Sequence, residues 1–512
     1  MAQPAEVLCV GGLMAKLDPQ AVVTPEERAR GLDLLVREAA LSGGAAALTS
    51  GVILTAFALH LGASNVMIGL LASAPFLAQL LQLPAIAWIE RWRTRKRVSV
   101  VCSLIGRAML AVMAVAAFFT GTLPLIAFVV AQFVLCGMGA IGACAWNAWM
   151  RDLAPEEQLG RVFAKRTLWL TAISLVLGLA AAGALDWTHP GSDERNLVFA
   201  GMFAVGCITG LLSARMVAAM PEPMMPPRTD QIGLVALLRE PLQDRNFVRL
   251  LRFLCSWQFA VNFATPFFTV YIVRQLGFHV SFVMVLSVVS QIANIAMLRL
   301  WGTLSDRFAN KSVLSVCAPV YILAIVAMIG ASQLGSREAV KLWLIALHLV
   351  MGASIAGVTL ASTNIALKLS PKGSATAYLA ASAMATAVAA GVAPILGGLL
   401  AEFFGARQLE LVARWSSPAG VFALPLVLHH WDFYFLIAGA IGLYALHRLS
   451  TIEERGEIEA REMARQVLSE TRRSIRNIST VAGLRAATDL PGSLLRDARL
   501  RVRFRRAQAG RN

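Results

Sequence analysis

The stretch WGTLSDRFANK, residues 301–311, decides the fold of this chain. It forms a charged turn between two long apolar runs, at 281–302 and 312–332. Charged side chains are almost never buried unpaired in a protein core. A turn of this kind between two such runs is therefore predicted to lie at a membrane face.

A weaker copy of the stretch occurs earlier, as WIERWRTRKR at residues 88–97. Glu90 aligns with Asp306 and Arg91 aligns with Arg307, and each pair stands at the same point of an otherwise apolar half. Two such turns in register predict a membrane protein built by duplication.

Composition supports a membrane protein. Of the 512 residues, 57% are hydrophobic and only 15% are charged, whereas a soluble domain has roughly 25% charged residues. Apolar runs of about 18 residues or more recur, and each could cross roughly 30 Å of hydrocarbon as a helix. Helices are expected because a backbone in lipid must satisfy its own hydrogen bonds.

We therefore predict an all-α integral membrane protein with twelve transmembrane helices in two six-helix bundles. The expected parts are an N-terminal segment with an amphipathic helix that has Thr24 as its N-cap and Pro25 at its first position, a first bundle, a linker, a second bundle and a basic tail. Their predicted ranges are 1–40, 41–218, 219–252, 253–449 and 450–512. Within the bundles the spans are predicted at about 41–62, 66–89, 98–119, 124–149, 167–186, 197–218, 253–275, 281–302, 312–332, 340–364, 375–401 and 431–449.

The basic residues predict the orientation. Loop 90–97 carries five and loop 150–166 carries four, whereas loops 62–65 and 120–124 carry none. Because cytoplasmic loops hold the Lys/Arg excess, both termini are expected in the cytoplasm, most simply at a bacterial inner membrane. The net charge of +16 then reflects topology rather than nucleic-acid binding, and the tail is expected to contact anionic lipid.

The motifs resemble those of the major facilitator superfamily over 41–449. Residues 302–308 are similar to its signature loop between the second and third spans of a half, and the copy at 87–91 departs from that pattern. Residues 152–166 resemble the loop after the fourth span, Pro221-Glu222 the motif closing the sixth, and Gly391-x-x-Pro394-x-x-Gly397-Gly398 the Gly/Pro helix of span 11.

This resemblance implies an alternating-access carrier in which charged loops hold the two bundles together in one conformation. The expected switch residues are Asp306 and Arg307, Glu90 and Arg91, together with a third ion-pair cluster formed by Asp152, Arg161 and Arg166. The simpler alternative is that positive loops happen to contain these acidic residues.

Polar side chains within spans are expected to face the interior, because they are costly in lipid. The candidates for the substrate pathway are Gln79, Gln132, Gln258, Asn262, Gln291, Asn294 and His348. Pro266 leaves the carbonyl of Asn262 without its helical donor, and Pro394 is the second helix-breaking position. Alternatively, the amides bond neighbouring helices and His348 is a satisfied core histidine.

No Asp or Glu falls in the middle of a span, which predicts a nearly neutral core and a neutral or largely apolar small-molecule solute. The seven cysteines are isolated and are interpreted as small buried hydrophobes. We find no enzyme motif, cofactor site or metal-ligand spacing, and a monomer is the simplest assembly. The competing hypothesis is a transport-inactive relative that acts in membrane assembly or sensing through the tail from residue 450.

Overall fold

The computed structural model describes residues 17–225, 240–371, 375–405, 407–417, 420–428, 430–454, 461–467 and 469–470. Most of the tail from 450, including the basic segment at 501–506, lies outside these residues, as do residues 1–16. The described part forms two halves of six long helices, as predicted.

The first half contains α1 to α6. Their bounds are α1, Pro25–Thr49 continued by Gly51–His60; α2, Asn65–Ala78 continued through a 3-10 turn at Gln79–Leu81 into Gln82–Trp92; α3, Arg95–Ala116; α4, Thr122–Leu153; α5, Glu156–Asp186; and α6, Asp193–Ala218.

The second half contains α7 to α12. Their bounds are α7, Arg245–Val270 with a π-helical turn at Tyr271–Gln275; α8, Val280–Arg307; α9, Asn310–Val326 with a 3-10 turn at Ala327–Ile329 and a last turn at Gly330–Gln333; α10, Arg337–Leu369; α11, Ala375–Phe404; and α12, His430–Ser450.

Eleven of these helices in the described chain are long and apolar enough to cross a membrane. The twelfth long helix, α7, falls outside that set, and Gln258, Asn262 and flanking arginines make it more polar. Several helices extend beyond their predicted apolar runs, and α5 begins at Glu156 instead of 167.

The start of α1 agrees with the predicted cap. Thr24 accepts a hydrogen bond from the backbone N–H of Glu27, the Glu27 side chain accepts one from the backbone N–H of Thr24, and Pro25 opens the helix. This capping box satisfies two donors at the helix end. The helix then runs on to Thr49, so the predicted amphipathic helix leads directly into span 1, as expected.

A β-hairpin lies between α11 and α12, in the stretch between the spans predicted at 375–401 and 431–449. Strand β1, Leu409–Ser417, pairs antiparallel with β2, Gly420–Leu428, in the register Leu409 to Leu428 and Ser417 to Gly420. Helical spans dominate the apolar pattern of the chain, so this segment carries no strand signal strong enough to stand out from them.

The molecule has two polar faces. The terminal face carries the start of α1, the linker ends and the end of α12, where Gln20 bonds Glu222 and Asn246 bonds Glu453. The far face carries the opposite helix ends, including Ala63, Asn65, Asp186, Arg274 and Glu402.

At the far face, α2 and α11 pack closely. A Cβ atom added at Gly69 would collide with the carbonyl of Pro394, and one at Gly398 would lie 2.5 Å from the carbonyl oxygen of Asn65. The Gly/Pro motif of α11 therefore lets two helices from different halves approach backbone to backbone. The second segment of α2, Gln82–Trp92, packs instead on α4 and the preceding 3-10 turn.

Hydrogen bonds close the same face. The Arg274 guanidinium donates to the carbonyl oxygen of Ala63 at 3.1 Å, and the backbone N–H of Asn65 donates to Glu402 Oε2 at 3.1 Å. Both bonds join the first half to the second. They hold the α1–α2 turn against the ends of α7 and α11.

The second contact between the halves is that of α5 with α8. The backbone N–H of Ser281 donates to Asp186 Oδ1 at 3.5 Å, and His279 Nδ1 lies 4.0 Å from the same oxygen. These contacts, like those of Arg274 and Asn65, join the two halves at the far face. The far face of this structure is closed.

Candidate functional site

A cavity of about 760 Å³ lies between the two halves, beneath the closed far face. Helices α1 to α4 line it from one side and α7 to α10 from the other. The wall is mostly apolar, with residues such as Leu54, Ile68, Phe76, Phe268 and Met351. Its size lies within the range of small-molecule sites, about 300–1,000 Å³.

Helix α1 breaks where it passes the cavity. Ser50 is extended, with φ −134° and ψ 177°, and Gly51 has φ +59°, a conformation that glycine adopts most easily. Thr49, Ser50, Gly51 and Val52 all line the cavity. The second segment, Gly51–His60, has no side-chain cap on its first turn, so its backbone N–H groups end in the cavity wall.

Arg107 on α3 corrects the expectation of a nearly neutral core. It lines the central cavity, whereas that expectation rested on the positions of carboxylates alone. The signal is present in the sequence, because Arg107 is a charged residue inside the apolar run at 98–119. A guanidinium stays charged in proteins.

A second cavity of about 330 Å³ adjoins Arg107 within the first half. There Glu38 is buried, accepting a hydrogen bond from the Ser213 hydroxyl at 2.9 Å and lying 3.4 Å from an Arg166 nitrogen. The Arg166 guanidinium also lies over the Trp146 ring, 4.7 Å from its centroid.

Three of the predicted pathway residues line the central cavity: Gln132, Asn262 and His348. Gln132 is 6% exposed, its amide nitrogen lies 3.3 Å from Cys136 Sγ, and its amide oxygen has no hydrogen-bond partner among the described residues. The Asn262 amide donates to the Gln258 carbonyl at 2.8 Å, next to the cavity-lining Pro266. His348 Nδ1 lies 2.8 Å from the Leu344 carbonyl oxygen.

The other four candidates do not line the cavity. They are Gln79, Gln258, Gln291 and Asn294. Gln79 is exposed and bonded to Gln82, and Gln291 is exposed on α8. The α8 side chains that do face the cavity are Ser287 and Ser290. Helical spacing places Ser287 and Gln291 on one face, but it does not give the depth at which that face meets the opposite half.

The terminal face of the first half is tied together by Arg95. Its guanidinium bonds Asp152 and lies 3.3 Å from Glu222 Oε1, and the side chains of Arg95 and Glu222 are 3% and 0% exposed. The two Glu222 oxygens also accept the backbone N–H groups of Arg95 and Lys96, at 2.8 and 3.1 Å. Burial raises the pKa of Glu222, and these hydrogen bonds lower it by a smaller amount.

This arrangement corrects the predicted cluster of Asp152, Arg161 and Arg166. Asp152 pairs with Arg95, Arg166 pairs with Glu38, and Arg161 is exposed on α5. Asp152 lies at the end of α4, whereas Arg161 and Arg166 lie five residues apart on α5 and therefore on different sides of that helix. The true partners of Asp152 and Arg166 lie on α3 and α1, far away along the chain.

The two signature turns differ from their expected pairing in this structure. Asp306 is exposed and has no ion-pair partner among the described residues, and Arg307 lies 3.8 Å from Glu470. Glu90 is half-buried and Arg91 is exposed. In this conformation the signature turns do not join the halves, which meet through polar contacts at the opposite, far face.

In the second half, Glu454 occupies the position that Glu222 has in the first. It accepts the backbone N–H of Lys311 at 2.8 Å and the Asn310 amide at 2.9 Å, at the start of α9. Each carboxylate follows the last helix of its half by four residues and contacts the start of the third helix. The duplication thus extends to the capping of α3 and α9, a pairing that the aligned turns alone do not show.

The described residues contain no group of three or more His, Cys, Asp or Glu side chains that could hold a metal ion.

The sequence matches a family model described as Major Facilitator Superfamily over residues 39–339 and again over residues 258–495. No curated protein matches the sequence.

Among solved structures, the fold is similar to a mutant of the nucleoside transporter NupG, with a TM-score of 0.63 and 12% identity over 83% of this chain and 100% of that one. It is also similar to an inward-facing, occupied bacterial homolog of the human lysosomal transporter Spinster. The TM-score there is 0.60 and the identity 15%, over 85% of this chain and 100% of that one. A third similar structure is the inward open xylose transporter XylE from E. coli, with a TM-score of 0.58 and 14% identity over 85% of this chain and 98% of that one. At these identities the likeness shows the fold alone.

Proposed function

The chain belongs to the major facilitator superfamily, and we propose that it moves a small organic solute with a largely apolar body across the membrane by alternating access. It is an integral membrane transporter rather than an enzyme. The observation that carries the proposal is a cavity of about 760 Å³ between the halves, beneath a far face closed by α2, α11, α5 and α8. In repeat-built carriers, the substrate site lies between the repeats near the midplane.

The cavity wall supports a solute with an apolar body. Apolar side chains from both halves surround it, and the second half adds neutral polar groups on Asn262, Thr265, Thr269, Ser287 and Tyr321. Such a wall buries apolar surface while a few polar groups fix the orientation. One chain encloses the whole cavity, which supports a monomeric transporter.

The Lys/Arg excess of loops 90–97 and 150–166 supports a cytoplasmic terminal face. In that orientation this structure is closed to the outside, and a bacterial cytoplasmic membrane is the setting that we propose. Anionic lipid beside the basic tail is part of the same proposal.

We assign the switch to charged residues of the terminal face. In the opposite conformation, Asp306 and Arg307 would bond groups of the other half, with Glu90 and Arg91 in the equivalent role. Asp152 pairs with Arg95 and Arg166 pairs with Glu38 in this structure. These pairs would keep α4 and α5 in place as the halves rock. Arg161 is exposed on α5 and is therefore available for a new contact.

Paired spin labels at the two ends of α4 and α10 test the proposal without knowledge of the solute. Leu123 and Glu338 lie at the far face and Arg151 and Leu367 at the terminal face, and all four are exposed. In liposomes, alternating access predicts two populations of molecules. In one the distance between labels 123 and 338 is short and that between labels 151 and 367 is long, and in the other the reverse holds. A single distance for each pair, unchanged by any solute or pH gradient, would contradict the proposal.

The same samples address the alternative of a transport-inactive membrane assembly or sensing protein. Loss of residues 455–512 should leave the two distance populations of a carrier unchanged. Immobile halves, combined with a cellular phenotype that follows the tail, would favour the alternative instead.

A further inference from the structure

We propose that the solute carries one anionic group, of the carboxylate class, which Arg107 and the exposed start of the α1 segment Gly51–His60 bind. This inference rests on the proposed transport function and names its substrate class. Arg107 lies twelve residues after the start of α3, about 18 Å along the helix, and therefore close to the middle of a core roughly 30 Å thick. A charge at that depth is costly and normally serves a function.

Arg107 is available to a ligand. No hydrogen bond or ion pair joins it to any residue that the structure describes. The Glu38 carboxylate attracts Arg107 electrostatically, but its hydrogen bond from Ser213 and its ion pair with Arg166 already engage it. Gly210 on α6 makes room for the side chain, because a Cβ atom there would lie 2.7 Å from Arg107 Cδ and 3.0 Å from Nη1. Arg107 lines both cavities, so the residue stands at the boundary of the central cavity.

The start of Gly51–His60 adds positive potential to the same cavity. The first backbone N–H groups of an α-helix have no partner within the helix, and the helix dipole favours an anion there. No side chain caps this end, since the Ser50 hydroxyl instead donates to the Ala46 carbonyl at 2.6 Å. Among the described residues that line the cavity there is no Asp or Glu. Arg107 is the one Lys or Arg among those described lining residues, so their charged side chains contribute a net positive charge.

Gln132, which lines the same cavity, is a second polar group there that lacks a full set of partners. Its side chain is 94% buried and its amide oxygen has no partner in the described chain. A buried acceptor without a partner costs free energy, and a ligand N–H or O–H would satisfy it. The predicted solute is thus a small organic anion with an apolar body, a carboxylate for Arg107 and a hydrogen-bond donor for Gln132.

The test compares matched probes that differ only in charge. The purified full-length protein in lipid nanodiscs is titrated with phenylacetate against phenylacetamide and with mandelate against mandelamide, and the thermal shift gives an apparent Kd. We expect each carboxylate to bind about tenfold or more tightly than its amide, because a charge-assisted hydrogen bond is lost in the amide. Mandelate should bind more tightly than phenylacetate, since its hydroxyl can donate a hydrogen bond to Gln132.

Variants link the preference to this site. Arg107→Gln should abolish the preference for the carboxylate, Arg107→Lys should retain part of it, and Gly210→Ala should weaken it by displacing the guanidinium while keeping the charge. Arg299→Gln, at an exposed arginine of α8 outside both cavities, is the matched control and should bind as the wild type does. Each variant must melt within a few degrees of the wild type. If Arg107→Gln does not fold to that standard, Gly210→Ala provides the test of the site.

Equal binding of acids and amides, binding of neither, or an unchanged preference in Arg107→Gln and Gly210→Ala would overturn the proposal. The distance populations of the spin-labelled protein do not depend on these probes. A protein that alternates but does not prefer the acids refutes only the anion site. A protein whose halves do not move refutes the transport function itself.

Discussion

Glu222 accepts the backbone N–H of Arg95 at 2.8 Å and lies 3.3 Å from the guanidinium of the same residue. One carboxylate thus caps the start of α3 and pairs with the first side chain of that helix. Because the N-terminus of a helix favours negative charge, Glu222 fixes the linker end to α3. Glu454 caps α9 through Lys311 in the second half, so both linker and tail begin from equivalent fixed points.

Glu222→Ala should destabilise the protein by about 3 kcal/mol, because removing one member of a buried pair leaves the other charge inadequately compensated. Thermal unfolding in detergent, with denaturant midpoints, measures the change. Glu453→Ala is the control. Its carboxylate pairs with Arg249 on the surface and is 79% exposed, so the loss should stay within about 0.5 kcal/mol. Equal losses in the two variants would contradict the buried role of Glu222.

Gly398→Leu should shift the protein away from the form that is closed at the far face. Already a Cβ atom at this position would lie 2.5 Å from the Asn65 carbonyl oxygen and 2.8 Å from Val66 Cα, and both are backbone atoms that cannot rotate away. The distance between labels at 123 and 338 should lengthen in most molecules. Gly201→Leu on α6, where an added Cβ meets nothing within 4 Å, should leave the distances unchanged.

Asp306→Asn should favour the far-closed form. Asp306 is unpaired among the described residues in that form, so the substitution costs nothing there, whereas it removes a charge-assisted bond from the opposite form. A loss of about 1.5–3 kcal/mol corresponds to a population change of about tenfold or more. Maleimide labelling of cysteines placed at 151 and 123 reports the two faces.

Unchanged labelling and unchanged transport in Asp306→Asn would reject the switch assignment. Asp33→Asn is the comparison, because Asp33 forms an exposed i,i+4 pair with Arg37 and should not alter the distribution between forms.

Gly51→Ala should lower both stability and solute binding. The φ of +59° places a side chain in the left-handed region at a cost of about 1–2 kcal/mol, and relief of that strain would straighten α1 and hide its N–H groups. Gly139→Ala is matched, since Gly139 also lines the cavity but lies in a regular helix with open space around it. If both variants bound solute normally, the break in α1 would have no part in binding.

The sequence predicts the elements that depend on local composition. Apolar runs locate twelve helices, and Thr24 and Pro25 predict the start of α1, since capping involves residues three apart. Of the polar candidates on α7, Asn262 lines the central cavity and Gln258 does not. Arg107 follows from the same rule once it is applied to both signs of charge, because any charged residue inside an apolar run is a candidate.

The remaining features arise from contacts between residues far apart in the chain. Asp152 and Arg166 are near in sequence and are therefore predicted to share one cluster, but their partners are Arg95 and Glu38 on other helices. Helical periodicity predicts which face of α8 a side chain occupies, but not how far along the helix the cavity extends. It therefore cannot tell that Ser287 and Ser290 line the cavity while Gln291 and Asn294 do not.

The sequence by itself determined a duplicated helical membrane protein with charged turns after the second span of each half, because hydrophobic runs and local caps act within one segment. Only the tertiary structure decided that the far face is closed, that Asp306 in its signature turn is unpaired among the described residues, and that Arg107, Gln132 and the break at Gly51 border one cavity. These properties depend on how two halves pack across the membrane, and packing between distant segments is set by shape and pairing that no single stretch contains.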